Sequence, residues 1–326
     1  RIPIMPGGFL VGSVLLVNLV AAHFHRFKWT AKKAGIWLVH VGIILLLLGE
    51  LFTAIFSRES AMRLNEGDTK NYSEAYRETE LAIIDHSAGD TDRVVAIAES
   101  GLDTGESIQH PAMPFRIEVK DFFANSRIFR RGPETKTYPA PLATTGVGAG
   151  LTAQEQPRTP KTDERDISIA WIELVAPDGS LGTWMVSNVF QERQDFTCAG
   201  KPYSIELRQR RHYEPHSITL LDFTHDRYPG TEIPRNFSSR VRLVDPAHSE
   251  DRELLIYMNH PLRHAGLTYF QSGYEGETTT ILQVVQNPSR HLPYISCILA
   301  GLGLLVQFGI HLYGFFRHRR ERAIAL

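Results

Sequence analysis

Three apolar segments frame one long polar stretch, and that pattern leaves a chain few ways to fold. The apolar segments run over residues 7–24, 34–56 and 292–316, and the polar stretch between the last two covers 57–291. At about 1.5 Å of rise per residue, a helix over each approaches or exceeds the roughly 30 Å hydrocarbon core of a bilayer. All three are read as transmembrane helices. The first is not a signal peptide: no basic region precedes it, no small-residue cleavage site follows it, and a second apolar segment comes almost at once. The chain begins at Arg1 and not at methionine, so a further segment upstream is expected.

Charge gives the orientation. The loop joining the first two apolar segments, HFHRFKWTAKK, carries Arg26, Lys28, Lys32 and Lys33 and no acidic residue. The tail after the third, RHRRER, carries Arg317, Arg319, Arg320 and Arg322 against Glu321. Short basic loops stay in the cytoplasm. Both therefore place residues 57–291 outside, in a periplasm or equivalent space. The formal net charge is −1 and no long basic run occurs in the polar part, so no nucleic-acid partner is expected. Cys198 lies in the polar stretch and Cys297 in the last apolar segment, so a disulfide is not expected. The absence of Cys-x-x-Cys and Cys-x-x-Cys-His argues against a thiol oxidoreductase and a c-type cytochrome. Cys198 is read as an ordinary small apolar residue.

One histidine stands out. His40 sits within AGIWLVHVGIILLLLGELFTAIF, roughly 9 Å into its helix from the cytoplasmic end. Exposing it to lipid is costly, so a partner or a ligand is expected. Imidazole is a common ligand of haem iron, and a hydrogen bond to a neighbouring helix is the plain alternative. His311 lies near the cytoplasmic end of the third segment, at an expected depth similar to that of His40, and His23 and His25 lie at the same interface. Glu50 is read as a helix-end carboxylate. Gly42 and Gly49, beyond His40, would let another helix or a flat macrocycle approach the backbone.

The polar stretch reads as mainly β, a sandwich or open barrel. Period-two alternation with β-branched and aromatic residues marks strands near 81–86, 93–98, 115–123, 167–175, 182–188, 203–212, 217–224, 239–244, 253–258, 267–272 and 278–285. Asp178-Gly179 signals a hairpin. Residues 131–165, rich in Pro, Thr and Gly, are expected to form a long loop or flexible insertion. His212, His216, His225, His260 and His264 share no helical face, and no metal site is expected among them. No phosphate loop or nucleophile elbow occurs. The expected organisation is helices over 1–56, an outer β-domain over 57–291, and a helix with a basic tail over 292–326.

Two stretches together carry a family resemblance. One is HVGIILLLLGELFTAIF running into SAMRLNEGD. The other is YPGTEIPRNFSSRVRLVDP followed by IYMNHPLRHAGLTYFQSGYE, with its most specific part at Met258–Ser272. The chain resembles the ResB family of cytochrome c maturation proteins, partners of the CcsA/ResC haem-handling protein in the system II pathway. The resemblance implies four membrane helices, of which three are visible here and the first lies upstream. It implies that His40 is an axial ligand to a haem b shared with the partner, whose Trp-rich motif is absent here. Trp29, Trp37, Trp171 and Trp184 are dispersed. It further implies a supporting subunit of a cytochrome c synthase complex, with apocytochrome c as client. Two rivals are a membrane-anchored β-domain scaffold or sensor with no cofactor, and a haem held within the chain by His40 and His311.

Overall fold

Glycines at heptad spacing decide how the apolar helices meet. The computed structural model describes residues 7–25, 30–89, 91–132, 143–160, 164–227, 230 and 234–324. It divides into a helical unit, Arg1–Glu59, Pro261–Tyr269 and Val285–Leu326, and a β unit, Ser60–His260 and Phe270–Val284. The helical unit holds α1 (Gly8–His25), α2 (Ala34–Phe56) and α3 (Leu292–Ile324). Gly35, Gly42 and Gly49 are the buried residues of α2. A Cβ at Gly35 would lie 2.5 Å from the backbone of Gly303 and Gln307, and one at Gly42 would lie 2.9 Å from the Ala300 nitrogen. A Cβ at Gly49 would meet Leu292 at 3.1 Å. The partners fall in number as the glycines rise, so α2 and α3 are antiparallel with their backbones in contact.

Two helical stretches, Ala31–Phe56 and Leu292–Arg320, are long and apolar enough to cross a membrane. The apolar run of α1, Gly8–His23, is shorter. Of the three spans expected, two helices are thus of spanning length, and α1 is a shorter apolar helix.

Apart from Leu262–His264, within a segment assigned to the helical unit, the strands lie mostly in the β unit. β1 (Arg58–Asn65), β2 (Thr69–Asp85) and β3 (Arg93–Ala98) open it, and β4 (Ser107–Ile108), β5 (Arg116–Phe123), β6 (Ser126–Arg130) and β7 (Leu151–Glu155) follow. Then come β8 (Ile169–Ala176), β9 (Gly179–Ser187), β10 (Gln194–Cys198), β11 (Lys201–Arg227), β12 (Pro234–Asp245), β13 (Glu250–Tyr257), β14 (Leu262–His264), β15 (Leu267–Glu275) and β16 (Thr279–Gln286). The large sheet runs β13-β12-β11-β2-β1-β16-β15-β14, with β3 on β2 and β10 on β11. A second sheet runs β4-β5-β8-β9, and β6 with β7 forms a ribbon.

The principal core lies between these two sheets. Leu81 and Ile83 of β2 and Tyr203, Ile205 and Leu207 of β11 pack with Ile117 and Val119 of β5 and Ile172 and Leu174 of β8. The residues alternate along each strand, as a pleated face requires. Sandwich packing is thus present in this part of the unit.

Residues 131–165 are not simply a loop. Leu151–Glu155 pairs with Ser126–Arg130, and Ala143, Ala153 and Leu151 pack with Trp171 and Met185. The strand is short and its inward residues are small, so it shows no apolar period. Residues 133–142 and 161–163 lie outside the described residues.

The family-like motif at Met258–Ser272 is a matter of turns. Asn259 has φ 65°, where asparagine is tolerated better than most residues. Ala265 and Gly266 have φ 47° and 82°, and His264 pairs with Leu267 across them. Positive φ at both central residues is the hairpin turn that matches strand twist, and its second position suits glycine. Within the other motif, residues 228–229 and 231–233 lie outside the described residues.

Candidate functional site in the helical unit

His40 lies about 160° around α2 from Gly42, so it points away from the seam with α3. The glycines beyond it therefore serve helix packing and not a macrocycle beside the histidine. On its own face His40 meets α1. Its Nδ1 lies 3.1 Å from Nε2 of His23, and the two rings meet edge to face with centroids 4.7 Å apart. Trp37, one turn before His40, packs edgewise on the same His23 ring at 4.8 Å.

The hydrogen bonds order the protons. Nδ1 of His23 lies 2.8 Å from the carbonyl oxygen of Leu19, an acceptor only, so this nitrogen carries the proton. A neutral His23 then has its lone pair on Nε2. Nδ1–H of His40 donates to it, which leaves the lone pair of a neutral His40 on Nε2. This is the form in which imidazole binds iron, and the neighbouring wall is apolar helix. The donor set fits a haem.

His311 does not join this site. The seam aligns Gly35 with Gln307 and Gly42 with Ala300, so His311 is level with Ala31, about 13 Å along the axis from His40. The expectation of matching depth fails because the antiparallel register runs α3 past the start of α2. His311 is exposed, lies 3.0 Å from Gln307 Nε2, and lines a groove of about 1080 Å³ with Lys32, Ile310, Tyr313, Arg317 and His318. Trp29, Arg26 and Lys28 lie outside the described residues. His23 is a residue that sequence reasoning expected at the same interface but did not pair with His40. The signal was only its depth, since the contact joins two helices.

The β unit holds one arrangement that imitates a catalytic triad. His86 Nδ1 lies 2.7 Å from Asp92, and its Nε2 lies 2.6 Å from the Ser204 hydroxyl. That hydroxyl donates to Asp195 at 2.6 Å, and Ser204 is buried. Its proton is committed to a carboxylate, so it is a structural clasp and not an activated nucleophile. Cys198 is buried and unpaired by disulfide, and burial pushes its thiol up, with Asp178 adding to the shift. That is the opposite of what a reactive thiolate needs.

Comparison with known proteins gives this geometry a family context. Residues 185–281 match the ResB-like family. The chain is 26% identical over 304 residues to protein NrfI of Wolinella succinogenes, which covers 90% of this chain and 29% of that protein. It is 36% identical over 90 residues to cytochrome c biogenesis protein CcsB of Synechococcus sp., covering 28% of this chain and 20% of the other. With CcsB of Prochlorococcus marinus the figures are 30% over 100 residues, 31% and 22%. The matched stretches thus span under a third of each relative. The ResB resemblance read from the sequence is borne out, and the family match covers the motif at Met258–Ser272. His40 lies outside that matched range.

Proposed function

We propose that this ResB-like chain is a membrane subunit of the cytochrome c maturation machinery. With a CcsA/ResC-type partner it holds haem b for covalent attachment to apocytochrome c. In this reading α1, α2 and α3 all span the inner membrane, and residues 57–291 are on the periplasmic or equivalent side. The similarity to proteins named for cytochrome c biogenesis supports the pathway. One observation carries the site: an imidazole in an apolar helix whose Nδ1 is already occupied by a hydrogen bond, so that Nε2 holds the lone pair.

Haem, when bound, supplies a redox-active iron and the vinyl groups that become thioether bonds. The chain's own contribution would be to orient His40 through its hydrogen bond with His23 and to offer the Nε2 lone pair to the iron. The chain is then a supporting subunit and not itself the catalyst.

The hydrogen bond from His40 to His23 also favours a second reading, in which the histidine is satisfied by its neighbour and the chain is a membrane-anchored scaffold without a cofactor. The two separate cleanly. In the complex purified with its partner, His40→Ala is expected to abolish or shift the haem Soret band. A spectrum identical to the parent's leaves only the scaffold.

A further inference from the structure

We infer that His23 is the positioning residue for His40, and that the chain Leu19 C=O, His23, His40 is a relay that fixes which nitrogen of His40 is available to a metal. The inference rests on the reading that His40 ligates haem iron. It goes beyond that reading in assigning the ring that holds the ligand.

An unsupported neutral histidine interconverts between two tautomers, only one of which has its lone pair on Nε2. Here the choice is made at the far end of the relay. The Leu19 carbonyl can only accept, so His23 Nδ1 must donate to it across 2.8 Å. In a neutral His23 the Nε2 then accepts, and His40 Nδ1 donates to it across 3.1 Å. Each step has one outcome because a carbonyl oxygen cannot reverse its role. Trp37, edge-on against the His23 ring at 4.8 Å, holds the plane of the intermediate ring.

A ligating histidine that donates its other N–H is both oriented and made more basic. A more basic ligand favours ferric over ferrous iron, so the relay lowers the reduction potential of any haem bound at His40. It also ties α1, the shorter apolar helix, to the site through the hydrogen bond between His23 and His40.

The test uses the full chain co-expressed with its partner. His23→Leu removes the acceptor, and His23→Gln restores one at similar reach. Haem retention is expected to fall about tenfold or more in His23→Leu, with a raised midpoint potential, and both are expected to return towards the parent in His23→Gln. Solid-state 15N NMR of the haem-free chain in lipid gives a readout independent of cofactor: His40 is expected as the Nδ1–H tautomer in the parent and as a mixture in His23→Leu. Parental retention and potential in His23→Leu, an Nε2–H tautomer in the parent, or a His23→Gln indistinguishable from His23→Leu would each overturn the relay. If His40→Ala keeps the parental Soret band, the ligation reading itself fails. If His40→Ala loses it while His23→Leu is silent, only the relay fails.

Discussion

Glu99 illustrates how single side chains hold the β unit together. Its carboxylate accepts from the Thr79 backbone N–H at 3.1 Å, the Thr79 hydroxyl at 2.9 Å and Arg158 at 2.9 Å. Burial pushes the carboxyl up, but the Arg158 and Thr79 donors outweigh it, and the group lies below the ordinary carboxylate range. A carboxyl lowered by folding adds stability that is complete above its unfolded value, about 4.3, and is lost as pH falls through the folded value. Glu99→Gln removes that contribution. Urea denaturation followed by tryptophan fluorescence is expected to show parent and variant diverging at pH 6 and converging towards pH 3. A gap that does not change with pH would rule the carboxylate out as its source. The same ionic logic appears deeper in the sheet, where Glu80 and Arg208 face each other across β2 and β11, 2.9 Å apart and 7% and 8% exposed. Such a pair is costly to break from one side and fixes which strand residues meet.

At the scale of elements, the strands that the sequence made legible are those rich in buried β-branched and aromatic residues. β5 alternates, with Ile117 and Val119 turned to the main core, whereas β8 is buried on both faces, Ile172 and Leu174 in the main core and Ile169 and Trp171 in a second one. The Asp178-Gly179 signal marked their continuation, with Ala176 paired to Gly179 at the β8–β9 hairpin. The early part of β2, TKNYSEAYRETE, was not legible, since it is charged and only partly buried and is held by its neighbours. The segments near 203–212 and 217–224 looked separate because Pro215 intervenes. They are one strand, β11, whose register on β2 shifts between Tyr213 and Ile218, and an irregularity of that kind tolerates a proline. For the helices, periodicity is silent on which glycines face a neighbour. Gly42 and Gly301 are alike in sequence, yet a Cβ at Gly42 meets α3 backbone at 2.8 Å while nothing lies within 4 Å of one at Gly301. Gly42→Ala is therefore expected to cost about 1–3 kcal/mol through forced separation of α2 and α3. Gly301→Ala is expected to be neutral. Thermal unfolding in detergent, read on both variants, checks this; equal behaviour would mean the seam is looser than the distances imply.

At the scale of the whole molecule, the role proposed for His40 depends on which side of a membrane its end of α2 faces. Sequence reasoning offers an expected depth for His40 and His23, because hydropathy and rise per residue supply one. It could not reach their contact, or the offset of His311, because both depend on helix register. The orientation itself rests on Lys32 and Lys33 before α2 and on Arg317, Arg319 and Arg320 in the last turns of α3. Both clusters flank the same end of the antiparallel pair, as Gln307 within hydrogen-bonding reach of the Lys32 carbonyl at 3.4 Å attests. An orientation read from charge should therefore respond to charge. With single cysteines in a cysteine-free background, a residue at position 33 or 319 is expected to react with an impermeant maleimide only after the membrane is opened. A residue on the exposed part of β13, such as Leu255, is expected to react in intact cells stripped of any outer membrane. Labelling at position 33 or 319 before permeabilisation would invert the topology. It would also move the His23–His40 pair to the outer leaflet, where a haem held for delivery would meet its ligand on the far side of the crossing.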